Sequence, residues 1–407
     1  MTVYRRRTIG SFAEVKGGKR LPDGHDLVSS PTVHPYIRAR DIRGGTVTFD
    51  EPSYLLEETF QQISRYTVSP GDVCVTIVGA NVGDVGRVPD WLDQANLTEN
   101  AAKVTDLKSF DSRFLTYALL ERGAQDQMKL LAGGAAQPKL GLYKIKDVEV
   151  FAPDLPIQHR IANILSAYDD LIENNTKRIK ILEEMARSLY REWFVNFRFP
   201  GHEKVKLVAS PIGKMPEGWT AGTLGDVVTL QRGFDLPERE RRAGSVPIVS
   251  SSGITGTHDT AKVDAPGIVT GRYGTLGEVY LIHEPFWPLN TTLFVKDFKG
   301  SNPYWLLYLL RSMNFSRQNA AGAVPGINRN ALHLLGVHIA PRELQANFGS
   351  LVAPLLQQVE VMQRRNKVLA EQRDLLLPRL ISGEIDVSSI LAPEPPHRAP
   401  SGSHHRV

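Results

Sequence analysis

Cysteine is nearly absent from this chain, since Cys74 is its single cysteine in 407 residues. This excludes an internal disulfide framework and most cysteine-based metal sites, and it fits a reducing cytoplasm. The sequence also lacks a run of eighteen apolar residues, so no membrane-spanning helix is expected. The N-terminal MTVYRRRTIG has no apolar stretch behind its arginines, so it is not expected to be a secretory signal. We therefore expect a cytoplasmic protein.

Catalytic and cofactor-binding motifs are missing as well. The glycine-rich stretches 79–86 (GANVGDVG) and 271–277 (GRYGTLG) lack the GxGxxG order and the Lys-Ser/Thr pair of a phosphate-binding loop. The tetrapeptide NPYW at 302–305 partly matches the Asn-Pro-Pro-aromatic motif of amino-methyltransferases, but it lacks the second proline, so a helix N-terminus is the better interpretation. The eleven histidines show no metal-ligand spacing. We expect no catalytic residue, no metal site and no cofactor bound by this chain.

What the sequence does contain is an ordinary globular composition, with 42% hydrophobic and 23% charged residues. A chain of this length can form two or three domains with buried cores. The formal net charge of +4 permits a nucleic-acid partner without demonstrating one, because many proteins are this basic.

The two halves of the chain repeat each other. The clearest pair is RIKILEEMARSLYREW at 178–193 and RNKVLAEQRDLLLPRL at 365–380, which align without a gap. Weaker pairs follow in the same order: 8–22 with 223–237, 70–86 with 266–279, 111–120 with 302–310, 134–145 with 322–332, and 151–158 with 339–345. Several weak matches in one order indicate an internal duplication.

Each half ends in a heptad pattern of apolar residues, which predicts a long coiled-coil helix. The first seam is Ile161, Leu165, Tyr168, Ile172, Asn175, Ile179, Leu182, Ala186, Leu189 and Trp193. The second is Phe348, Val352, Leu355, Val359, Met362, Asn366, Leu369, Arg373, Leu376 and Leu380. The polar seam residues could fix the register, or they could be exposed or locally hydrated, and the sequence leaves both interpretations open.

The fold predicted from this layout is α+β: two β-rich globular domains joined by two long antiparallel coiled-coil helices, with a pseudo-twofold internal repeat. The predicted boundaries are 1–153 for the first globular domain, 154–200 for the central spacer helix, 201–341 for the second globular domain, 342–385 for the C-terminal spacer helix and 386–407 for a disordered tail. Pro156 suits a first helical turn, 199–201 (FPG) should end the first helix, and Gly383 should cap the second. Pro354 predicts a kink or restart within the second helix.

Two similar but diverged domains on a rigid spacer suit a repetitive polymer with two features at a fixed separation. DNA is such a polymer, because half-sites on one face recur about every 34 Å. A duplicated single chain would read two different half-sites, whereas a homodimer would read a palindrome.

The chain resembles the specificity subunit of Type I restriction–modification systems. The stretch 173–203 (ENNTKRIKILEEMARSLYREWFVNFRFPGHE) is similar to the central spacer of that family, 376–385 (LLPRLISGEI) to its C-terminal spacer end, and 216–228 (PEGWTAGTLGDVV) to the entry of its second target-recognition domain. The resemblance covers about residues 5–388 and is weak inside the two recognition domains.

The resemblance implies a non-catalytic subunit that binds a bipartite double-stranded DNA target with a fixed gap. It also implies two methyltransferase (modification) subunits that use S-adenosylmethionine to methylate adenine. Motor–nuclease (restriction) subunits, with ATP and Mg²⁺, would direct cleavage of unmodified DNA. Tyr190, Trp193 and Phe194 are candidate docking aromatics for the partners, although core packing is the better interpretation for Trp193.

Base reading needs Arg, Lys, Asn, Gln or Ser side chains on loops or helix starts. The candidates in the first domain are Lys19, Arg20, Arg38, Arg40, Asn81, Gln137 and Lys139. Those in the second are Arg232, Ser250, Ser251, Ser252, Arg272, Tyr273, Asn328 and Arg329. They lie at corresponding places in the two repeats, but each surface cation could equally be a solvated charge.

Three other function classes stay open at this point. One is a stand-alone DNA-binding regulator with a built-in dimer axis, and another is a protein-interaction scaffold. The third is a fused methyltransferase, against which the missing motifs argue. An adenine methyltransferase encoded by the neighbouring reading frame would distinguish the specificity subunit from the regulator and the scaffold.

Overall fold

The computed structural model describes residues 4–133, 138–313 and 326–389. The chain divides into two compact units, one formed by 1–174 with 365–407 and the other by 175–364. The boundaries between the units therefore fall within the two long helices. Within the described ranges, no helix is long and apolar enough to cross a membrane.

The first unit contains a mixed α+β domain. Its strands are β1 Arg6–Thr8, β2 Glu14–Gly17, β3 Tyr36–Ile37, β4 Ile42–Arg43, β5 Gly45–Val47, β6 Val73–Thr76, β7 Val85–Arg87, β8 Asn96–Leu97, β9 Ala101–Thr105 and β10 Glu149–Phe151. Its helices are α1 Glu57–Ile63, α2 Ser112–Leu120, α3 Arg122–Ala132 and α4 Leu142–Lys146, and α5 Leu155–Tyr190 starts here. The main sheet has the order β2-β9-β6-β7-β5-β4, and the pairs β3-β8 and β1-β10 flank it.

The second unit repeats this topology with additions. Its strands are β11 Leu207–Ser210, β12 Gly213–Pro216, β13 Thr220–Thr223, β14 Thr229–Arg232, β15 Val246–Ser250, β16 Gly253–His258, β17 Gly267–Gly271, β18 Val279–Ile282, β19 Trp287–Pro288, β20 Thr292–Asp297 and β21 Gly336–Ile339. Its helices are α6 Leu224–Val227, α7 Pro303–Ser312 and α8 Arg329–His333, followed by α9 Arg342–Ser382, which ends in the first unit. The sheet β14-β20-β17-β18 has the same strand order as β2-β9-β6-β7.

The duplication read from the sequence is therefore present in the fold. The parallel pair β15-β19 corresponds to β3-β8, and the pair β13-β21 corresponds to β1-β10. The first unit alone adds β5 and β4 to its main sheet, whereas the second adds the β11-β12 hairpin. The predicted α+β architecture with two repeated domains and two long helices is confirmed.

The heptad seams lie on the packed faces of α5 and α9, because each of the twenty seam positions is buried or half-buried. Asn366 donates a hydrogen bond to the carbonyl of Ile172 at 3.3 Å, and Arg373 pairs with Asp169. Residue numbers rise along α9 as they fall along α5, so the helix segments of the first unit are antiparallel. The polar seam residues are thus half-buried and engaged, which fits the register interpretation.

The helix ends agree in part with the predictions. Pro156 lies in the first turn of α5, and Gly383 follows α9 with φ +82°, the left-handed conformation of a C-terminal cap. The helix does not restart at Pro354, because α9 continues through it, and the alternative prediction, a kink, stays a prediction. The first helix also ends before 199–201: the regular helix stops at Tyr190, and a π-helical turn covers Arg191–Val195.

The cores of both units are closely packed at the bases of the long helices. In the second unit Tyr190, Trp193 and Phe194 are buried around Phe348, so these predicted docking aromatics are core residues. In the first unit Val387 is fully buried, so the packed chain extends into the segment predicted as a disordered tail, because an apolar side chain there joins the core. Residues 390–407 of that segment lie outside the described residues.

Cys74 lies in the middle strand β6 and is fully buried. Burial, and then the neighbouring Asp72, raises the pKa of its thiol above the ordinary value. The thiol is therefore a small apolar core group.

Candidate DNA interface

In the first unit, the predicted DNA-contacting residues gather at one end of the main sheet. Lys19 and Arg20 follow the end of β2, and Asn81 lies in the loop after β6. Because β2 and β6 both run antiparallel to β9, these strand ends meet where β9 begins. Arg38 follows β3. The next residue, Ala39, is tied to the end of β6, because the hydroxyl of Thr76 donates a hydrogen bond to its carbonyl at 3.4 Å.

The second unit places its candidates at the equivalent end. Arg232 ends β14, Arg272 follows β17, and both strands pair with the start of β20. The backbone contacts match between the units: Gly18 N–H donates to the carbonyl of Ala101 at 3.1 Å, and Gly233 N–H donates to that of Thr292 at 3.1 Å. The sequence-matched residues are therefore matched in space within each repeat.

The glycines at this turn are required by close backbone approach. A Cβ on Gly18 would lie 2.0 Å from the carbonyl oxygen of Thr98, and one on Gly233 would lie 2.2 Å from that of Leu289. No side chain fits at such distances. These glycines bring β2 and β14 against the neighbouring loop and so fix the base of each candidate face.

Lys19 and Arg20, the basic residues after β2, are exposed, but each is held in one orientation by a contact with another side chain. The ammonium of Lys19 lies 5.6 Å from the centre of the Tyr66 ring, a cation–π arrangement. Arg20 is 79% exposed and pairs with Glu99 at 3.3 Å. Both side chains are placed at the surface where an incoming polyanion could compete for them.

Arg38 is held by contacts within its own loop. Its guanidinium makes two hydrogen bonds to the carboxylate of Asp41, at 3.0 and 3.1 Å, and another to the carbonyl of Glu51. With its side chain only 18% exposed, Arg38 supports this loop and has few donors left for a base. Arg40, by contrast, is 58% exposed and pairs with Glu51 at 2.9 Å.

The remaining first-unit candidates lie beside the glycine-rich loop. Asn81 is exposed within the 79–83 turn, and Lys139 is exposed and forms a β-bridge with Val78. The bridge holds Lys139 next to the loop. Gln137 lies outside the described residues.

In the second unit the corresponding loops bring polar and aromatic side chains together. The guanidinium of Arg272 stacks 4.4 Å from the centre of the Tyr273 ring, which orients both. The hydroxyls of Ser250 and Ser252 are 3.0 Å apart in the turn after β15. Ser251 lies against the loop, since a Cβ on Gly274 would be 3.2 Å from its hydroxyl.

The start of α8 completes this face. The backbone N–H of Ile327 donates to the carbonyl of Arg272 at 3.0 Å, which holds the chain before α8 against the loop. Asn328 caps α8 by accepting the N–H of Asn330 at 2.9 Å, and Arg329 is exposed in the first turn. Arg232 is exposed and lies 3.9 Å from Asp235. A helix N-terminus with an exposed arginine suits a phosphate contact.

The motifs weighed for catalysis have structural explanations. Asn302 of NPYW is the N-cap of α7 and accepts the N–H groups of Tyr304 and Trp305, as predicted for a helix start. Among the described residues no group of three or more His, Cys, Asp or Glu side chains could hold a metal ion.

Sequence reasoning missed one basic cluster next to the candidate face. Lys16, Lys103, Arg65 and Tyr66 line a cleft of about 440 Å³ together with Gly17, Thr67 and Leu97. Lys16 and Lys103 meet only through the register of β2 with β9, which places them directly opposite each other. That register could not be read from the sequence, where the two lysines are far apart.

The chain is similar to known proteins of one family. The model of the family described as "Type I restriction modification DNA specificity domain" matches residues 3–184 and 216–371. The chain is 24% identical to the Type I restriction enzyme MjaIX specificity subunit of Methanocaldococcus jannaschii, over 96% of this chain and 98% of that protein. It is 26% identical to a putative type I specificity subunit of Mycoplasma genitalium, over 93% of each chain.

The fold is shared with a solved structure. The crystal structure of the S subunit of a Type I restriction–modification system from M. genitalium matches with a TM-score of 0.62 at 19% identity, and covers 93% of this chain and 96% of that one. The family match spans most of both repeats, and the two repeated domains with their long helices are the fold of that subunit. The chain therefore belongs to the family of Type I restriction–modification specificity subunits.

Proposed function

We propose that this chain reads a bipartite DNA target, with one half-site recognised by each unit. The observation that supports this most is that equivalent loops at the same sheet end carry different side chains. The first unit presents Lys19, Arg40 and Asn81, whereas the second presents Ser252, Arg272 and Tyr273. Asn favours adenine and Arg favours guanine in the major groove, so the two half-sites should differ in sequence.

We further propose that the chain holds two adenine-N6 methyltransferase subunits and has no catalytic activity of its own. The duplicated frame offers two quasi-equivalent surfaces for two copies of one partner. With the aromatic residues at the end of α5 buried, the exposed apolar residues of the long helices are better docking candidates. On α9 these are Leu351, Val361, Val368 and Leu375.

In this cytoplasmic complex the partners supply the chemistry. S-adenosylmethionine would be used by the methyltransferase subunits, and ATP with Mg²⁺ by motor–nuclease subunits that cleave unmodified DNA. The chain's own part is to bind DNA and to position the partners. Its candidate face consists of single arginines, lysines, asparagines and serines on loops, which is the chemistry of base and phosphate recognition.

The test is methylome sequencing of cells that express this chain together with the proposed methyltransferase subunit. We expect one bipartite motif with a fixed gap and methylated adenines, which disappears when this chain alone is deleted. Methylation that persists without the chain, or a motif that lacks a gap, would contradict the proposal. A stand-alone regulator or a scaffold would leave the methylome unchanged on deletion.

A companion measurement addresses catalysis and stoichiometry. The purified chain should transfer no methyl group to target DNA, whereas the chain mixed with its partner should. Native mass spectrometry should show two methyltransferase copies per chain at saturation. Methyl transfer by the chain alone, or a one-to-one complex at saturating partner, would refute the corresponding part.

A further inference from the structure

The cleft beside the first candidate face has an unusual charge arrangement. Lys16 on β2 and Lys103 on β9 are a directly opposed cross-strand pair, so their side chains leave the same face of the sheet. Like charges in this position destabilise a sheet unless something compensates them. Arg65 adds a third cation to the same cleft, and no acidic residue lines it.

The carboxylates that compensate the lysines do not line the cleft. Lys16 pairs with Glu14 at 2.9 Å and with Asp106 at 3.0 Å, and Lys103 pairs with Asp72 at 2.9 Å. Asp72 and Asp106 line a different hollow, next to the start of α2. Hydrogen bonds to Glu14 and Asp106 raise the pKa of Lys16 to about 12, which keeps the ammonium charged.

Two cations at the cleft have no carboxylate partner among the described residues. Arg65 is exposed and makes no ion pair there, and the ammonium of Lys19 lies 5.6 Å from the ring of Tyr66, which lines the cleft. Lys19 is also tied to the cleft through its N–H, which donates to the carbonyl of the lining residue Leu97 at 2.9 Å. The cleft and the candidate face are therefore continuous.

The second repeat supplies an internal comparison. Gln231 and Phe294 are the directly opposed pair of β14 and β20. They occupy the places of Lys16 and Lys103, because Gly18 and Gly233 are equivalent. The strand framework itself therefore does not require a lysine at either place. In the first repeat Lys103 also neutralises the buried Asp72, whereas the half-exposed Lys16 has no such buried partner.

We propose that the cleft lined by Lys16, Arg65 and Lys103 binds a backbone phosphate of the DNA duplex, next to the half-site read by the first unit. This inference rests on the proposed DNA-binding function. A phosphodiester carries one negative charge and acceptor oxygens, and it matches the donors of Arg65, Lys16 and the Tyr66 hydroxyl. The site anchors the duplex without reading its sequence, and the second unit has no equivalent of its lysine pair.

The test compares two double variants of the full-length chain with equal charge change. R65A/K16Q removes two cleft cations, and the control R122A/K129Q removes two exposed cations of α3. Lys103 is kept because its loss would leave Asp72 buried without its partner. We expect R65A/K16Q to flatten the slope of log K against log[salt] by about 0.9 relative to the control, without changing the preferred sequence.

A second measurement locates the phosphate. Single phosphates of the target duplex are replaced one at a time by uncharged methylphosphonate. At one position, in or beside the first half-site, the replacement should weaken binding by the unmodified chain and by the control but not by R65A/K16Q. Equal slopes for both variants, or no such position, would overturn the inference, whereas a failure of the unmodified chain to bind DNA specifically would instead overturn the proposed function.

Discussion

Asp169 on α5 and Arg373 on α9 form an ion pair inside the first unit, and Asp169 also accepts a hydrogen bond from the hydroxyl of Tyr117 on α2 at 2.5 Å. One carboxylate therefore joins both long helices to the globular domain. The repeat-equivalent positions in the second unit are Leu356, Ala186 and Tyr308, which are all buried. The same junction is polar in one repeat and apolar in the other.

We expect Asp169→Ala to lower the free energy of unfolding by about 1–3 kcal/mol, because it leaves the Tyr117 hydroxyl and the Nη1 of Arg373 without their acceptor, while the other side of the guanidinium keeps Asp374. The double variant D169L/R373A copies the residues of the second unit and should be closer to the unmodified chain than D169A. A double-mutant cycle in urea measures the coupling between the two side chains. Additive effects of D169A and R373A would show that the pair contributes nothing.

Gln158 and Gln345 are equivalent buried glutamines near the starts of α5 and α9. Each accepts the backbone N–H of a helix cap, Asp111 at 2.8 Å or Asn302 at 3.1 Å, and each donates to a nearby carbonyl. Replacing either by alanine should cost about 1–3 kcal/mol, because buried backbone groups lose their partners. The exposed Gln357→Ala on α9 is the control and should cost little.

Tryptophan fluorescence can assign these losses to a unit. Trp193, Trp219, Trp287 and Trp305 are buried in the second unit, whereas Trp91 of the first unit is 62% exposed. Q345A should therefore lower the fluorescence-detected midpoint more than Q158A, whose effect should be seen mainly by circular dichroism. The opposite order would contradict this assignment.

The stability of the second unit should depend on pH through His333. Its Nε2 accepts the N–H of Leu230 at 3.0 Å, and burial, followed by the charges of Lys299 and Arg329, lowers its pKa below the ordinary 6.5. The unfolded chain then binds the proton more readily, so stability is lost as the pH falls below about 6.5. Urea midpoints between pH 7.5 and 5.5 should fall less steeply for H333Q than for the unmodified chain.

His202→Gln is the matched control, since His202 also lies in the second unit. The urea midpoint of H333Q should fall less steeply with decreasing pH than that of H202Q. The urea midpoint of H333Q should still fall to some extent as the pH is lowered, because burial also lowers the pKa of His338. Equal slopes for H333Q and the unmodified chain would exclude His333 as the main titrating group.

Substitutions at the candidate faces should separate the two half-sites. Arg272→Ala should relax one position of the half-site read by the second unit, at a cost of about 1–3 kcal/mol. Arg40→Ala should affect only the other half-site, and Arg38→Ala should mainly destabilise the first unit because Asp41 and Glu51 lose its support. Methylome sequencing reads the half-sites, and an effect of R272A on the half-site of the first unit would contradict the division.

The long helices should set the gap between half-sites. Trp193 packs against Phe348, so Glu184 lies opposite the region of Gln357 in the antiparallel pair of the second unit. Seven residues inserted after each of these positions keep the seam in phase and add about 10 Å to each helix. On the proposed function, the gap should grow by about three base pairs while the half-sites stay unchanged.

Three inserted base pairs also rotate the far half-site by about 100° around the duplex, so weaker methylation is expected unless the supercoil compensates. A control insertion of two residues at both positions turns the rest of each seam by about 200°, away from its partner, and should destabilise the chain. A new half-site sequence at the old gap would refute the spacer role, because the helices would then be reading bases.

Features that follow from a repeating pattern of residues could be predicted from the sequence. Every position that the heptad spacing identified on the two long helices is buried or half-buried, including Asn366 and Arg373, and the matched glycines located the two candidate faces. Features that depend on a contact with one particular side chain could not be predicted from the sequence. One example is the π-helical turn after Tyr190, which could be seen only once the packing of the aromatic side chains was known. Another is Arg38, whose role in supporting its own loop depends on the position of Asp41.

The basic cleft was missed for a related reason. Lys16 and Lys103 lie on strands that are distant in sequence, and only the antiparallel register brings them together. Nothing in the residues near Arg65 distinguishes it from a solvated cation. Long-range registers follow from the packing of the whole domain, which a single sequence does not specify.

The burial of Cys74 makes the chain a convenient subject for distance spectroscopy. Its thiol is inaccessible and its raised pKa keeps it protonated, so it should not react with maleimide or methanethiosulfonate reagents in the folded protein. Cysteines introduced at exposed positions, such as Arg122 and Thr255, can then be labelled without removing the native one. A pair of spin labels or fluorophores placed in this way would report how the two units move when DNA is bound.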